Sequence, residues 1–461
     1  MSFFSKLLLN DAYGVRAATG IAYIRIVFGC WWLYEVTLGK FWKLGSLSSG
    51  PNPKWVGPRA GEEIINHIHK TIEGGIWWWY EWFLLHCVEP YAATWATIII
   101  ITQLMIGSAM ILGLLTRIAL TGAIVMLAAI NMIGSVSTSP IMIGGHWFLL
   151  FIHSGLYFGL DAYLLNRFPS SQLLRQVINL GNPHFSYRMR AGIASLGALI
   201  ALWLIMQVTR LPDNLIRYVS IDMAVWLSLI AVGFLRSLKT NFSLLETGAG
   251  LLRMYTGYKM LWFVITNPHK KDLATLPGCL PEDALALLFN KSAASHVHVM
   301  QPVIQVLFEP YAEFWSTMFG LLQVGAAVML ITGWQPRLAL RIATVVLCMY
   351  VILGFTRYAP FLLGYCLGLL CIDAGHTMGI SGLLSPAAHS GKRPTPATVS
   401  GSYILLFIAI LMLIIACIAG VHPNGYDTHV GGTVSSALAI LTGCLFLVSW
   451  LGQKAATVRI A

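Results

Sequence analysis

Charge is what this sequence has least of. Only 10% of its 461 residues are Asp, Glu, Lys or Arg, against roughly 25% in a soluble domain, which excludes an ordinary water-soluble globule. Cysteine is sparse as well. There are eight, with no C-x-x-C and no C-x-x-C-H, so iron–sulfur, zinc-ribbon and covalent haem sites lose their usual support. No Lys/Arg run is interleaved with aromatics, and the net charge of +11 is not read as a nucleic-acid footprint. The strict alternation of a membrane barrel is missing. No small-residue cleavage site follows the first apolar run, so the first helix is expected to be retained.

What is present is apolar sequence in long runs, with 57% hydrophobic residues and a mean hydropathy of +0.73. Many runs approach or exceed the ~20 residues that cross a bilayer, and in lipid they must be helical to satisfy their own backbone. The pattern predicts an all-α polytopic membrane protein with about twelve spans. The first six cover roughly 17–38, 92–115, 118–138, 142–164, 190–209 and 217–236. The second six cover roughly 248–267, 312–334, 338–356, 359–380, 401–420 and 432–452.

The chain contains one phrase twice. Glu89-Pro90-Tyr91-Ala92-Ala93-Thr94-Trp95 returns as Glu309-Pro310-Tyr311-Ala312-Glu313-Phe314-Trp315, and the register then holds without a gap. Gln103 meets Gln323, Gly113 meets Gly333, Arg117 meets Arg337, Pro140 meets Pro360 and Gly155 meets Gly375. This is an internal duplication. Its halves are about 1–240 and 241–461, each a four-span unit (about 17–165 and 248–380) followed by two extra spans (about 190–236 and 401–452). Six spans per half is an even number, so the repeat is parallel. Lys6, Arg16, Arg117, Arg167, Arg188, Arg236, Lys239, Arg337, Lys392 and Lys454 fall on one side. That side is then cytoplasmic, with both termini inside. Two long segments, about 39–91 and 268–311, lie outside.

Duplication separates frame from function. A polar residue kept in both halves serves the fold, and one kept in a single half is a better functional candidate. Arg25 and Arg253 are kept, inside the first span of each half. Lipid makes such charges costly, and Asp161 and Asp373 are their candidate acidic partners in structural ion pairs that also include Arg117 and Arg337. Glu89 and Glu309 suit a helix start, where Pro loses nothing and a carboxylate meets the positive helix end. Glu89 and Tyr91 could also hold a quinone head group or relay a proton. His146 is unique to the first half, where it aligns with Cys366. His153, aligned with Asp373, is seven residues further on, which on one helix puts both on one face.

In the outer segments, Lys40, Lys43 and Arg59 are placed to attract a small anion or to snorkel at the interface. His67 and His69, like His296 and His298, would point the same way on an extended strand, as a metal pair would. Surface histidines are the favoured reading of both pairs, and no metal or haem site is expected. The Trp77–Trp82 cluster reads as an interfacial anchor helix in preference to an aromatic cofactor box. Cys30, Cys348, Cys366, Cys371, Cys417 and Cys444 fall in spans as packing residues. Cys87 and Cys279 lie near the outer segments, either free or bonded.

These residues carry a resemblance. Arg-x-x-x-Gly in the first span (Arg25, Gly29), Gly113-Leu114-Leu115-Thr116-Arg117 at the turn after span two, and Gly144-Gly145-His146-Trp147 followed by Gly159-Leu160-Asp161-Ala162-Tyr163 resemble the DoxX/DoxD-like membrane proteins. The second copy reads Gly333-Trp334-Gln335-Pro336-Arg337 at the turn and has no His in span four. The resemblance implies a four-helix bundle and, for DoxD-like members, the membrane subunit of a thiosulfate:quinone oxidoreductase working with a separate partner. The expected function is then quinone-linked oxidation of a small sulfur anion, with quinone as co-substrate. The active half would be the first, with Glu89, Tyr91 and His146 at the quinone and Lys40, Lys43 and Arg59 at the anion. Expected partners are membrane lipid, quinone and a chain docked on the outer segments, with no nucleic acid. The expected location is a bacterial or archaeal cytoplasmic membrane. Two other readings fit the same pattern: a non-catalytic scaffold of a respiratory or oxidase complex, and a small-solute transporter.

Overall fold

The structure, a computed structural model, describes residues 7–8, 14–37, 54–57, 59–132, 139–178, 186–208, 215–238, 244–266, 282–295, 300–353, 358–372, 379–380 and part of 440–452. Among them the chain is helical nearly throughout, and its one β feature is an isolated bridge between Leu8 and Tyr157. Four helical stretches are long and apolar enough to cross a bilayer: Gly14–Thr37, Trp78–Leu112, Tyr187–Val208 and Gln301–Thr332. Shorter apolar helices cover Thr116–Ile130, Ser139–Phe151 and Ala359–Ile372.

The described residues form two compact units. Unit two comprises Phe28–His153 and Ser171–Ser243. It contains the end of α1 (Gly14–Tyr34), then α2 (Glu62–Glu73), α3 (Trp78–Phe83), α4 (Ala92–Leu112), α5 (Thr116–Met132), α6 (Ser139–Phe151), α8 (Gln172–Ile178), α9 (Tyr187–Val208) and α10 (Leu215–Ser237). Helices α9 and α10 pair closely because α9 presents a small-residue stripe, Ala194, Gly197 and Ala201, which lets backbones approach. The other faces of α9 expose Leu196, Leu199, Leu202 and Ile205, as a lipid-facing helix does.

Unit one comprises Met1–Val27, Ser154–Ser170 and Leu244–Ala461. It holds the start of α1, α7 (Leu160–Arg167), α11 (Leu244–Thr266), α12 (Glu282–Ser295), α13 (Met300–Leu307), α14 (Ala312–Thr332), α15 (Pro336–Ile352) and α16 (Ala359–Ile372). Helix α11 packs on α14 and α16, and α15 on both of these.

Elements recur at the spacing of the repeated phrase. Adding 220 to the bounds of α4 gives those of α14, and adding it to α5 gives α15. The joining turns match too, with Gly113 and Gly333 at φ 64 and 67 and Leu115 and Gln335 at φ 47 and 44. Only glycine takes that backbone region without strain, and it closes a helix end there. The crossing of the first two spans is also repeated. A Cβ on Gly29 would meet the Gly107 carbonyl at 2.9 Å, and one on Gly257 would meet the Ala327 carbonyl at 2.7 Å.

Two expectations change. The span expected over 142–164 is broken: α6 stops at Phe151, a 3-10 turn covers Ser154–Leu156, and α7 begins at Leu160. His153 and Phe158 sit in the left-handed region at φ 53 and 51. The segments about 39–91 and 268–311, expected as loops apart from an anchor helix at Trp77–Trp82, carry helices α2, α3, α12 and α13, and α3 is the one at that cluster. Helix α2 is strongly amphipathic; its Ile64 and Ile68 pack with Tyr80, Leu84, Val88, Ala92 and Ala96 in an apolar cluster.

Candidate functional site

The repeated Glu-Pro-Tyr phrase is built the same way in both units. Glu89–Tyr91 and Glu309–Tyr311 form single 3-10 turns opening α4 and α14. Before Glu89 the chain is a π-helical turn, Leu84–Val88. Before Glu309 the corresponding residues end an α-helix, Met300–Leu307, and in both copies a tryptophan inside the following helix donates back across the turn. Trp95 Nε1 donates to the Cys87 carbonyl at 3.1 Å, and Trp315 Nε1 donates to the Leu307 carbonyl at 2.8 Å. The phrase is thus a braced helix start. Trp95→Phe and Trp315→Phe, which keep the ring and delete the N–H, are each expected to cost about 1 kcal/mol, read as lower midpoints in detergent unfolding.

Glu89 also accepts from His69 Nε2 at 2.9 Å, tying α2 to the start of α4. Beside it, Tyr91 is 61% exposed. Helix α2 turns His67 and His69 to different partners: His67 lies 3.6 Å from Glu63. The strand-borne His-x-His pair is therefore not formed at 67–69, because the segment is a helix and residues two apart diverge. His296 and His298 lie outside the described residues.

Burial holds the pKa of His67 below its ordinary value, Glu63 opposes this, and Lys70 and Lys54 add to it. The folded form therefore gives up its proton more readily than the unfolded chain. Stability of α2 is full above the ordinary value of 6.5, falls as pH drops below it, and levels off once folded His67 is protonated. Protection of the α2 amides, taken relative to the intrinsic exchange rate at each pH, should fall as pH drops below 6.5, and His67→Gln should remove part of that dependence.

Of the expected anion-attracting residues, Arg59 is in a surface pair with Glu62 at 2.6 Å. Lys40 and Lys43 lie outside the described residues. Trp55, Val56, Gly57 and Ala60, together with Ala93, Thr97, Ile100, Ile101 and Leu104 of α4, line a groove of about 510 Å³.

Inside unit two, His146 is fully buried. Its Nδ1 lies 2.6 Å from the Met142 carbonyl, and its Nε2 accepts from Trp32 Nε1 at 2.9 Å. A carbonyl takes only a donor, and an indole N–H gives only to an acceptor, so the ring is neutral with its proton on Nδ1. Both nitrogens are engaged. Proton exchange at His146 requires the Trp32 bond to open. His153 lies beyond the end of α6 in a left-handed conformation, so it does not share a helix face with His146.

In unit one, Arg25 is fully buried. It donates to the carbonyls of Ser154, Tyr157 (3.0 Å) and Phe158 (2.8 Å), and Asp161 acts on it electrostatically. The arginine thus satisfies the broken backbone between α6 and α7, which explains the interruption: irregular backbone is tolerated at membrane depth where protein supplies its hydrogen bonds. Arg253, also fully buried, lies against Gly333, where an added Cβ would come within 2.8 Å of its guanidinium. Arg117 is nearly buried, and its counterpart Arg337 is exposed. Asp373 lies outside the described residues, as does Cys279, the cysteine that could bond Cys87.

Sequence reasoning passed over two buried ionisable residues. Lys259 is 2% exposed in α11, its Nζ 4.9 Å from the Phe263 ring centre. Asp222 is 5% exposed in α10. A charge within an apolar run was the available signal in both cases. It also gave no weight to a buried polar chain in unit one, where Gln323 Nε2 donates to the Met260 carbonyl at 2.8 Å and Tyr350 donates to Gln323 Oε1 at 2.9 Å.

No family model, curated protein or solved structure matches the chain. Any function assigned to it rests on its own residues.

Proposed function

We propose that this chain is the membrane subunit of a quinone-linked oxidoreductase acting on a small sulfur anion such as thiosulfate, with a separate chain docked on its outer segments. The fold behind this reading is a tandem of two parallel six-helix DoxX-like repeats with about twelve crossings. Both termini then lie in the cytoplasm of a bacterial or archaeal cell. Joining two thiosulfates forms one S–S bond and releases two electrons and no proton. A quinone that takes those electrons needs two protons from elsewhere. The observation that carries the reading is the Glu89–His69 pair beside exposed Tyr91 at the head of α4. It joins an acid and a base at the outer end of a span, where protons can enter.

A second reading, a non-catalytic frame for a respiratory or oxidase partner, draws on the fully engaged ring of His146. One experiment separates the two: quinone reduction with thiosulfate by the purified chain, alone and with its native co-purifying partners. The oxidoreductase reading expects turnover with the partner and a loss of about 10²-fold in Glu89→Gln. The frame reading expects a stoichiometric partner and turnover unchanged by Glu89→Gln. His146→Ala that lowers the unfolding midpoint yet leaves turnover intact would assign that histidine to the fold.

A further inference from the structure

The two repeats differ at one buried hydrogen bond, and one of them shows what the other lacks. In unit one the carboxamide of Gln323 is fully buried, and its Oε1 receives the phenol of Tyr350 at 2.9 Å. In unit two its counterpart Gln103 is 2% exposed, and its Oε1 has no hydrogen-bond partner among the described residues. The register explains the difference. Tyr350 of α15 corresponds to Ile130 of α5. Isoleucine carries no hydroxyl and ends well short of where a tyrosine oxygen would lie. Ile130 is also only half-buried, whereas Tyr350 is fully buried. An unsatisfied acceptor away from water costs free energy, and native interiors fill such positions with a donor.

We propose that Gln103 Oε1 is a binding point for a phenol-type hydroxyl supplied by a molecule from the lipid phase, occupying in unit two the role that Tyr350 plays in unit one. The required group is a donor hydroxyl on an apolar ring, which is what the neighbouring repeat provides from its own chain. Access to α4 is close at hand, since the groove of about 510 Å³ is lined by Ile100 and Leu104, within one turn of Gln103. A quinol head group is a phenol, so the biological identity of the ligand rests on the quinone-linked reading. The hydrogen-bonding site does not, because its test needs no electron donor.

The test uses the full chain in lipid nanodiscs with four probes: phenol, anisole, durohydroquinone and duroquinone, the last two under anaerobic conditions. Binding is read by saturation-transfer NMR and by shifts in the unfolding midpoint. Phenol and durohydroquinone should bind about threefold to tenfold more tightly than anisole and duroquinone, the worth of one hydrogen bond. Ile130→Tyr should raise the unfolding midpoint and abolish phenol binding, since the chain then fills the position itself. Gln103→Leu should bind phenol and anisole equally, and it carries the test if the tyrosine variant does not fold. Equal binding of phenol and anisole to the unaltered chain overturns the proposal. So does an Ile130→Tyr protein that is stabilised yet still binds phenol, and so does a chain that binds none of the probes, which assigns the position to water. Phenol selectivity without any quinone-linked turnover would keep the site and remove only the redox reading.

Discussion

Arg25→Met should leave a protein that does not accumulate in the membrane in folded form, or that unfolds in detergent far below the unaltered chain. The side chain is fully buried and donates to three backbone carbonyls between Ser154 and Phe158. Removing it takes this donor from the Tyr157 and Phe158 carbonyls, leaves the Ser154 carbonyl with the Tyr157 amide, and takes from Asp161 the buried cation it acts on. Each carbonyl that loses its donor costs about 1–3 kcal/mol, and the lost attraction between Arg25 and Asp161 adds to this. The sum reaches into the range of a typical domain's whole stability, about 5–15 kcal/mol. Arg25→Lys should recover only part of this, because an ammonium lacks the planar fork that reaches several acceptors at once. Midpoints from a detergent or thermal series on the three proteins decide the matter. A Met variant within about 1 kcal/mol of the unaltered chain would mean that the turn holds itself.

The second large effect is at the helix crossing that both halves share. Gly29→Ala would put a methyl 2.9 Å from the Gly107 carbonyl and from the Ile111 amide nitrogen. Gly257→Ala would put one 2.7 Å from the Ala327 carbonyl. Backbone cannot retreat as a side-chain tip can, so each substitution should cost about 1–3 kcal/mol through overpacking, with valine costing more. Gly325→Ala, in α14 with nothing within 4 Å of the added methyl, is the control. It should be neutral or stabilising by about 0.5–1 kcal/mol, the helical penalty of glycine. If all three alanine variants behave alike, close approach at the crossing is not what the glycines provide.

These two sites show what the sequence disclosed and what it withheld. The expected spans over 92–115 and 312–334 lie over α4 and α14 within a few residues, because Glu-Pro-Tyr at one end and glycine at the other are local signals of helix limits. The break after α6 gave no such signal. Residues 142–164 read as one apolar run, and only a distant arginine makes the interruption tolerable. Helix α3 lies over the Trp77–Trp82 cluster read as an anchor helix, whereas α2, α12 and α13 did not follow from charges and histidines, although Ile64, Ile68 and Ile72 recur with helical period. Among the candidate site residues, Glu89 acquired a partner, His69, twenty positions earlier that no spacing rule proposes. Burial of Lys259 and of Asp222 depends on packing, but their presence within apolar runs was visible. Between the halves Tyr350 stands against Ile130, a difference that gains its meaning once Gln323 is known to take its donor from Tyr350.

The continuous helical stretch from Trp78 to Leu112 has 35 residues, about 52 Å at 1.5 Å per residue, whereas the hydrocarbon of a bilayer is ~30 Å thick. Its exposed large side chains run from Trp78, Trp79 and Trp82 through Tyr91 to Ile98, Ile101 and Met105. Such a rod is a thickness gauge. A thicker bilayer can cover more of the aromatic end with lipid and a thinner one less, and the π-helical turn at Leu84–Val88 is where the mismatch can be taken up by bending. The depth of Glu89 and Tyr91 would then be set by the surrounding lipid as much as by the fold, and so would the company they keep.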